Sequence, residues 1–172
     1  MGFRELEISL EKMRKRVDRL PKLVLDLTRI ELLRIGNIAA RRAAELTPRD
    51  TGATAEGWVA RQRDLKQSSV VRVVNTNPKA NEEIVLQGGG STTLLEILEF
   101  GSSPHEIRPK DKKVLKFQVG GQTIYTKGPI FHPGTAPHNM VTIASVEAAV
   151  NAKKLVDALR VFIRQQLRVV EA

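Results

Sequence analysis

Apolar side chains fall at Phe3, Leu6, Leu10, Met13, Val17 and Leu20, in steps of three and four that a helix gathers on one face. Arg, Lys and Glu fill the opposite face. Pro21 then stands inside the pattern. A proline there removes a backbone hydrogen bond and crowds the preceding turn, so it marks either a kink or a fresh helix start. From Leu23 to Leu46 the pattern resumes and broadens, with Ala39, Ala40, Ala43 and Ala44 small enough to let another backbone approach. Thr47-Pro48 ends it. A last helix is expected from about Ile143, its stripe running through Val156, Leu159, Ile163, Leu167 and Val170.

Between these helices the sequence reads as strands and turns. Trp58–Ala60 and Val70–Val74 are β-rich, the second bounded by Asn75-Thr76-Asn77-Pro78. Gly88-Gly89-Gly90-Ser91 reads as a flexible link ahead of a short helix at 93–100. The clearest hairpin joins Val114–Val119 to Gln122–Thr126 through Gly120-Gly121, a two-residue turn of type I′ or II′. Its register sets Phe117 against Ile124 on one face and Lys116 against Tyr125 on the other. The order predicts an α+β fold: long N-terminal helices, a small and mostly antiparallel sheet, and a C-terminal helix packed on the sheet. Residues 1–20 are expected as an amphipathic helix that either projects as an arm or folds back, and 21–172 as a single domain.

A chain of 172 residues can bury one real core, and 41% hydrophobic with 27% charged residues is ordinary for a globular protein. No apolar run approaches the roughly 20 residues of a membrane helix, so no membrane partner is expected. With no cysteine there is neither a disulfide nor a thiolate metal site. Lys and Arg number 28 against 19 Asp and Glu, a net charge of +9. That excess suits nucleic acid or another anionic surface, although interleaved acids also fit ordinary solvated helix faces. Aromatic residues, at 4%, supply few stacking platforms for single strands.

Motifs that could carry catalysis are thin. Asp50-Thr51-Gly52-Ala53 matches the tetrapeptide of retroviral-type aspartic proteases, in which two aspartates share a proton. Here it follows the end of a long helix instead of a buried strand. The expected structure is a turn in which the Asp50 carboxylate accepts from nearby backbone N–H groups and Gly52 supplies a positive φ. His105, His132 and His138 have no spacing typical of a metal site. The glycines at 88–90 lack the lysine of a phosphate-binding loop. Arg108-Pro109-Lys110-Asp111-Lys112-Lys113 is a basic patch leading into the hairpin. No catalytic residue, metal site or cofactor is expected.

Two turn signatures remain, Leu98-Glu99-Phe100-Gly101-Ser102-Ser103 and His132-Pro133-Gly134-Thr135-Ala136-Pro137. Each couples a glycine to residues that fix a turn, and together they suggest a rigid presented surface. With Thr47-Pro48-Arg49-Asp50-Thr51-Gly52, they occur in an order that resembles the tail-completion or head–tail joining proteins of long-tailed bacteriophages. Two details depart from that pattern: His138-Asn139-Met140 replaces a proline and an aromatic, and Ala53-Thr54-Ala55 replaces a leucine.

The resemblance implies a structural virion protein, assembled in the host cytoplasm, that forms a hexameric or dodecameric ring at the neck or tail top and joins tail to head connector. It implies contacts with itself and with other neck and tail proteins, and the positive charge adds phosphates of packaged DNA as a candidate contact. Asp50, Thr51, Gly52, Glu99, Phe100, Gly101, His132, Pro133, Gly134 and Thr135 are the candidate turn and interface residues. Phe3, Leu6, Leu10, Met13, Val17 and Leu20 are the candidate arm contacts. Valine at Gly101 or Gly134 is expected to impair assembly more than folding. The alternative function is a basic protein that binds or processes nucleic acid.

Overall fold

The computed structural model describes residues 3–66, 68–86, 89–109 and 114–171, and leaves out the side chains of 3–13, 16 and 169–171. In chain order the elements are α1 (Phe3–Leu46), α2 (Ala53–Glu56), β1 (Trp58–Asp64), β2 (Ser69–Asn75), a 3-10 turn (Pro78–Ala80), β3 (Glu83–Val85), β4 (Ser91–Thr93), α3 (Leu94–Phe100), β5 (His105–Ile107), β6 (Leu115–Val119), β7 (Gln122–Thr126), β8 (Ile130–His132) and α4 (Met140–Glu171). The fold is α+β, as the sequence predicts. Its strands pair as four two-stranded antiparallel ribbons: β1–β2, β3–β4, β5–β8 and β6–β7. The chain divides into two compact units, one of residues 1–77 with 140–172 and the other of 78–139.

In the first unit α1 runs as one 44-residue helix through Pro21. No fresh helix start therefore occurs at Pro21. The side chains of Phe3, Leu6, Leu10 and Met13 lie outside the described residues, while Val17 is exposed and Leu20 half-buried. The alanine stretch does what small residues permit. Ala39 and Ala43 meet Ala144 of α4 in a buried cluster, with Ala148, Trp58 and Val73 packed against it. Arg42 crosses this seam, its Nε donating to Glu147 at 3.0 Å. Gly36 marks where the β1–β2 ribbon lies on α1: a Cβ there would stand 2.4 Å from Val71 Cγ1.

Helix α4 begins at Met140, three residues before the expected start, and its 32 residues pack mainly along α1. Its packing face runs through Ala144, Ala148, Leu155, Leu159 and Phe162, whereas Val156 and Leu167 of the anticipated stripe are exposed. The stripe and the packing face share Leu159, and Ile163 of the stripe is half-buried, so the difference is a rotation about the helix axis. Alanines, which a search for large apolar residues passes over, set the contact.

A buried polar knot joins three elements of this unit. Thr47 Oγ1 donates to Ala43 O at 2.7 Å, accepts from Trp58 Nε1 at 2.8 Å, and lies 3.1 Å from Met140 Sδ. Thr47 and Met140 are both buried. Thr47→Val keeps the side-chain shape but removes the acceptor of the indole N–H. The variant should lose about 1–3 kcal/mol of stability in urea unfolding, followed by fluorescence of Trp58, the only tryptophan. Ile30, 64% exposed, provides the contrast: Ile30→Ser should shift stability by about 0.5 kcal/mol or less.

Candidate turn and interface site

The Asp-Thr-Gly turn belongs to the first unit. Gly52 has φ +85°, as expected of it. Asp50, however, is exposed and makes no side-chain hydrogen bond among the described residues. Thr51 takes the role foreseen for Asp50, with Thr51 Oγ1 accepting from the Ala53 N–H at 3.4 Å. The shorter threonine side chain sits one residue closer to the start of α2, within reach of that amide.

In the second unit the two glycine signatures come together. Ser102 and Thr135 exchange backbone hydrogen bonds, Ser102 N–H to Thr135 O at 2.9 Å and Thr135 N–H to Ser102 O at 3.1 Å. Ser102 Oγ accepts from the same Thr135 N–H at 3.1 Å. Next to this bridge β5 and β8 pair antiparallel, with His105 opposite His132. The His138 and Asn139 N–H groups donate to the carbonyls of Leu98 and Glu99. The result is a backbone clamp made of both signatures.

The glycines are what let the clamp close. Gly101 has φ +77°, and a Cβ on it would stand 2.5 Å from Thr135 O. Gly134 has φ +89°, and a Cβ on it would stand 2.3 Å from Ser102 O. Their neighbours are backbone atoms of the same unit, which cannot rotate away. A side chain at either position therefore strains the second unit itself, whatever it does to assembly.

The two histidines act locally. His132 Nδ1 accepts from the Gly134 N–H at 3.1 Å, bridging Pro133 and fixing the turn. His105 Nδ1 donates to Ser103 O at 2.9 Å. The opposing hydrogen-bond roles place the His132 ring proton on Nε2 and a His105 proton on Nδ1. Their ring centroids are 5.1 Å apart. Among the described residues, no three His, Asp or Glu side chains gather as metal ligands would.

Helix α3 carries a device that the turn signatures do not reveal. Thr93 Oγ1 accepts from Glu96 N–H at 3.2 Å, and Glu96 Oε2 accepts from Thr93 N–H at 2.9 Å, a reciprocal capping box. The Thr93-x-x-Glu96 spacing announces it. At the other end of α3, Glu99 is only 5% exposed while Phe100 is 72% exposed. Phe100 closes the apolar stretch of α3 and faces solvent. Phe131 on β8 is likewise 74% exposed. The clamp thus holds two bare aromatic rings on a fixed backbone.

The stretch read as a flexible link proves to be the connection of a hairpin. Glu83, Ile84 and Val85 pair with Thr93, Thr92 and Ser91, and Leu86 N–H donates to Gly90 O at 3.1 Å. Gly88 lies outside the described residues, as do 110–113 of the basic patch. Arg108 itself is tied to Glu106, with Nε at 2.9 Å and Nη2 at 2.6 Å from one carboxylate oxygen. The β6–β7 hairpin has the expected register, Phe117 opposite Ile124 and Lys116 opposite Tyr125. Its turn glycines have φ +57° and +82°, the type I′ pattern.

A separate cleft of 410 Å³ lies between α1 and α4 in the first unit. Leu27, Leu155, Leu159 and Phe162 line it, and the Glu31–Arg34 pair at 2.7 Å, Asn151 and Lys154 supply its polar groups. Among the described residues, no helix is long and apolar enough to cross a membrane. No protein-family model, curated protein or solved structure matches this chain.

Gly134→Ala forces a side chain into the left-handed region and onto the Ser102 carbonyl. It should destabilise the second unit by about 2 kcal/mol or more. Hydrogen exchange should then quicken at 98–107 and 130–139, while amides of α1 and α4 around the Ala43–Ala144 contact keep their protection.

Proposed function

We propose that this chain is a non-enzymatic structural component of a long-tailed phage virion. It forms a homo-oligomeric ring in the neck or at the top of the tail and joins tail to head connector, after assembly in the host cytoplasm. The observation that carries the reading is the clamp. Two segments distant in sequence, both part of the resemblance to tail-completion proteins, are locked to each other by paired backbone hydrogen bonds and present Phe100 and Phe131 to solvent. Assembly contacts gain most from apolar anchors whose backbone needs no further ordering on binding. A surface of this kind favours association over turnover of a substrate.

The rings, unlike the glycines, can be changed without entering the unit's interior. Phe100→Ser with Phe131→Ser should leave the thermal unfolding temperature close to that of the parent. Native mass spectrometry should show a defined ring for the parent and smaller species for the double variant. A parent that stays monomeric both alone and with neck and tail proteins, or a double variant that assembles as well as the parent, would overturn the reading.

A further inference from the structure

The outer face of the β1–β2 ribbon carries charge that its own strand pairing opposes. In the observed register Arg61 stands directly across from Arg72, and Arg63, across from Val70, follows two residues along on the same face. Like charges placed opposite each other weaken a ribbon. All three arginines are exposed, and among the described residues none has a carboxylate within ion-pair distance. The one acid of the ribbon, Asp64, belongs to the alternate set of positions. It accepts from Ser69 Oγ at 2.6 Å and Gln62 Nε2 at 2.8 Å and lies 3.5 Å from Arg29 Nε. Those hydrogen bonds, with the nearby guanidinium, hold its carboxyl below the usual carboxylate range. Lys66, exposed in the connection between the strands, adds to the positive end.

The opposite face of the ribbon explains why the arginines cannot turn inward. Ala60 and Val71 lie against α1 at Gly36, and Val73 and Trp58 pack on the alanine seam. Strand alternation therefore fixes Arg61, Arg63 and Arg72 outward. The array is held rigidly and lacks neutralisation from the described residues. We propose that this face, through Arg61, Arg63 and Arg72, binds the phosphate backbone of double-stranded nucleic acid without reading its sequence.

Three features favour that partner. Guanidinium forks match phosphate oxygens in geometry as well as charge. A duplex offers about one negative charge per 1.7 Å of its axis, dense enough to neutralise three clustered cations together. Finally, single strands are held largely by stacking, and the ribbon's aromatic residue, Trp58, is turned to the other face with its N–H on Thr47. The inference does not rest on the assembly reading, because it concerns another unit of the chain and is tested on the purified protein.

The test is fluorescence anisotropy of a labelled DNA duplex of arbitrary sequence, titrated with the full chain between about 50 and 200 mM salt. The parent should bind with an affinity that falls steeply with salt and changes little with sequence. Replacing Arg61, Arg63 and Arg72 together by Gln should flatten the plot of log affinity against log salt by about 0.9 for each phosphate no longer neutralised. Replacing all three by Lys should keep most of the slope. Because the Gln variant also removes a like-charge pair, its melting temperature should equal or exceed the parent's, which separates weakened binding from unfolding. The proposal fails if the Gln variant binds with the parent's affinity and slope. It fails too if the parent prefers a single strand of equal length, or binds phosphatidylserine vesicles but not the duplex.

Discussion

The close approach of α1 and α4 is the constraint on which the first unit depends. Ala39 and Ala43 on one helix face Ala144 and Ala148 on the other, so the backbones meet without large side chains between them. Such contacts gain from many small dispersion terms, and an added methylene has nowhere to go. The seam draws together segments from opposite ends of the sequence, which makes residues 78–139 an insertion between β2 and α4 in chain order. Thr47 completes the arrangement at the seam's edge. One hydroxyl there ends α1, receives the indole of β1 and touches the first residue of α4.

The second unit is organised differently, by backbone contact more than by side-chain volume. Its strands are short, and a two-stranded ribbon alone is marginal in water. The clamp compensates by linking α3, β5 and β8 through amide–carbonyl pairs around Ser102 and Thr135. Glycine is required because carbonyl oxygens occupy the space a Cβ would fill. The same rigidity accounts for neighbouring residues with opposite fates. Glu99 and Phe100 are adjacent on α3, about 100° apart around the helix, so burying one turns the other outward.

What the sequence made legible is what short-range physics decides. The β6–β7 register follows from a two-glycine turn, because loop length fixes which residues face each other. The α+β order and the small-residue face of α1 follow from periodicity. Other features depend on partners that lie far apart in sequence. Nothing local shows that Ser102 will find Thr135, although both signatures are visible individually. The packing face of α4 was obscured because valines outrank alanines in any apolar count, while the partner helix selects for size. Of the two readings of Pro21, the fresh helix start is excluded: its local cost is real, yet a helix of this length can carry one missing hydrogen bond. At the Asp-Thr-Gly turn the glycine was legible, but the choice between two adjacent side-chain acceptors was not.

Net charge is divided unequally between the units in a way that composition alone hides. Residues 1–77 and 140–172 hold 21 of the 28 Lys and Arg but 13 of the 19 Asp and Glu, whereas residues 78–139 hold 7 against 6. The net charge of the chain is therefore almost wholly that of the helical unit. On its ribbon, strand alternation concentrates part of the charge into an array with no counterion among the described residues. The second unit is close to neutral, and a near-neutral surface lets bare rings such as Phe100 and Phe131 approach a partner without a charge penalty. The arginine array and the two exposed phenylalanine rings thus reside on separate units, although exposed aliphatic side chains occur on both. A change at either surface can then be read out without disturbing the chemistry of the other.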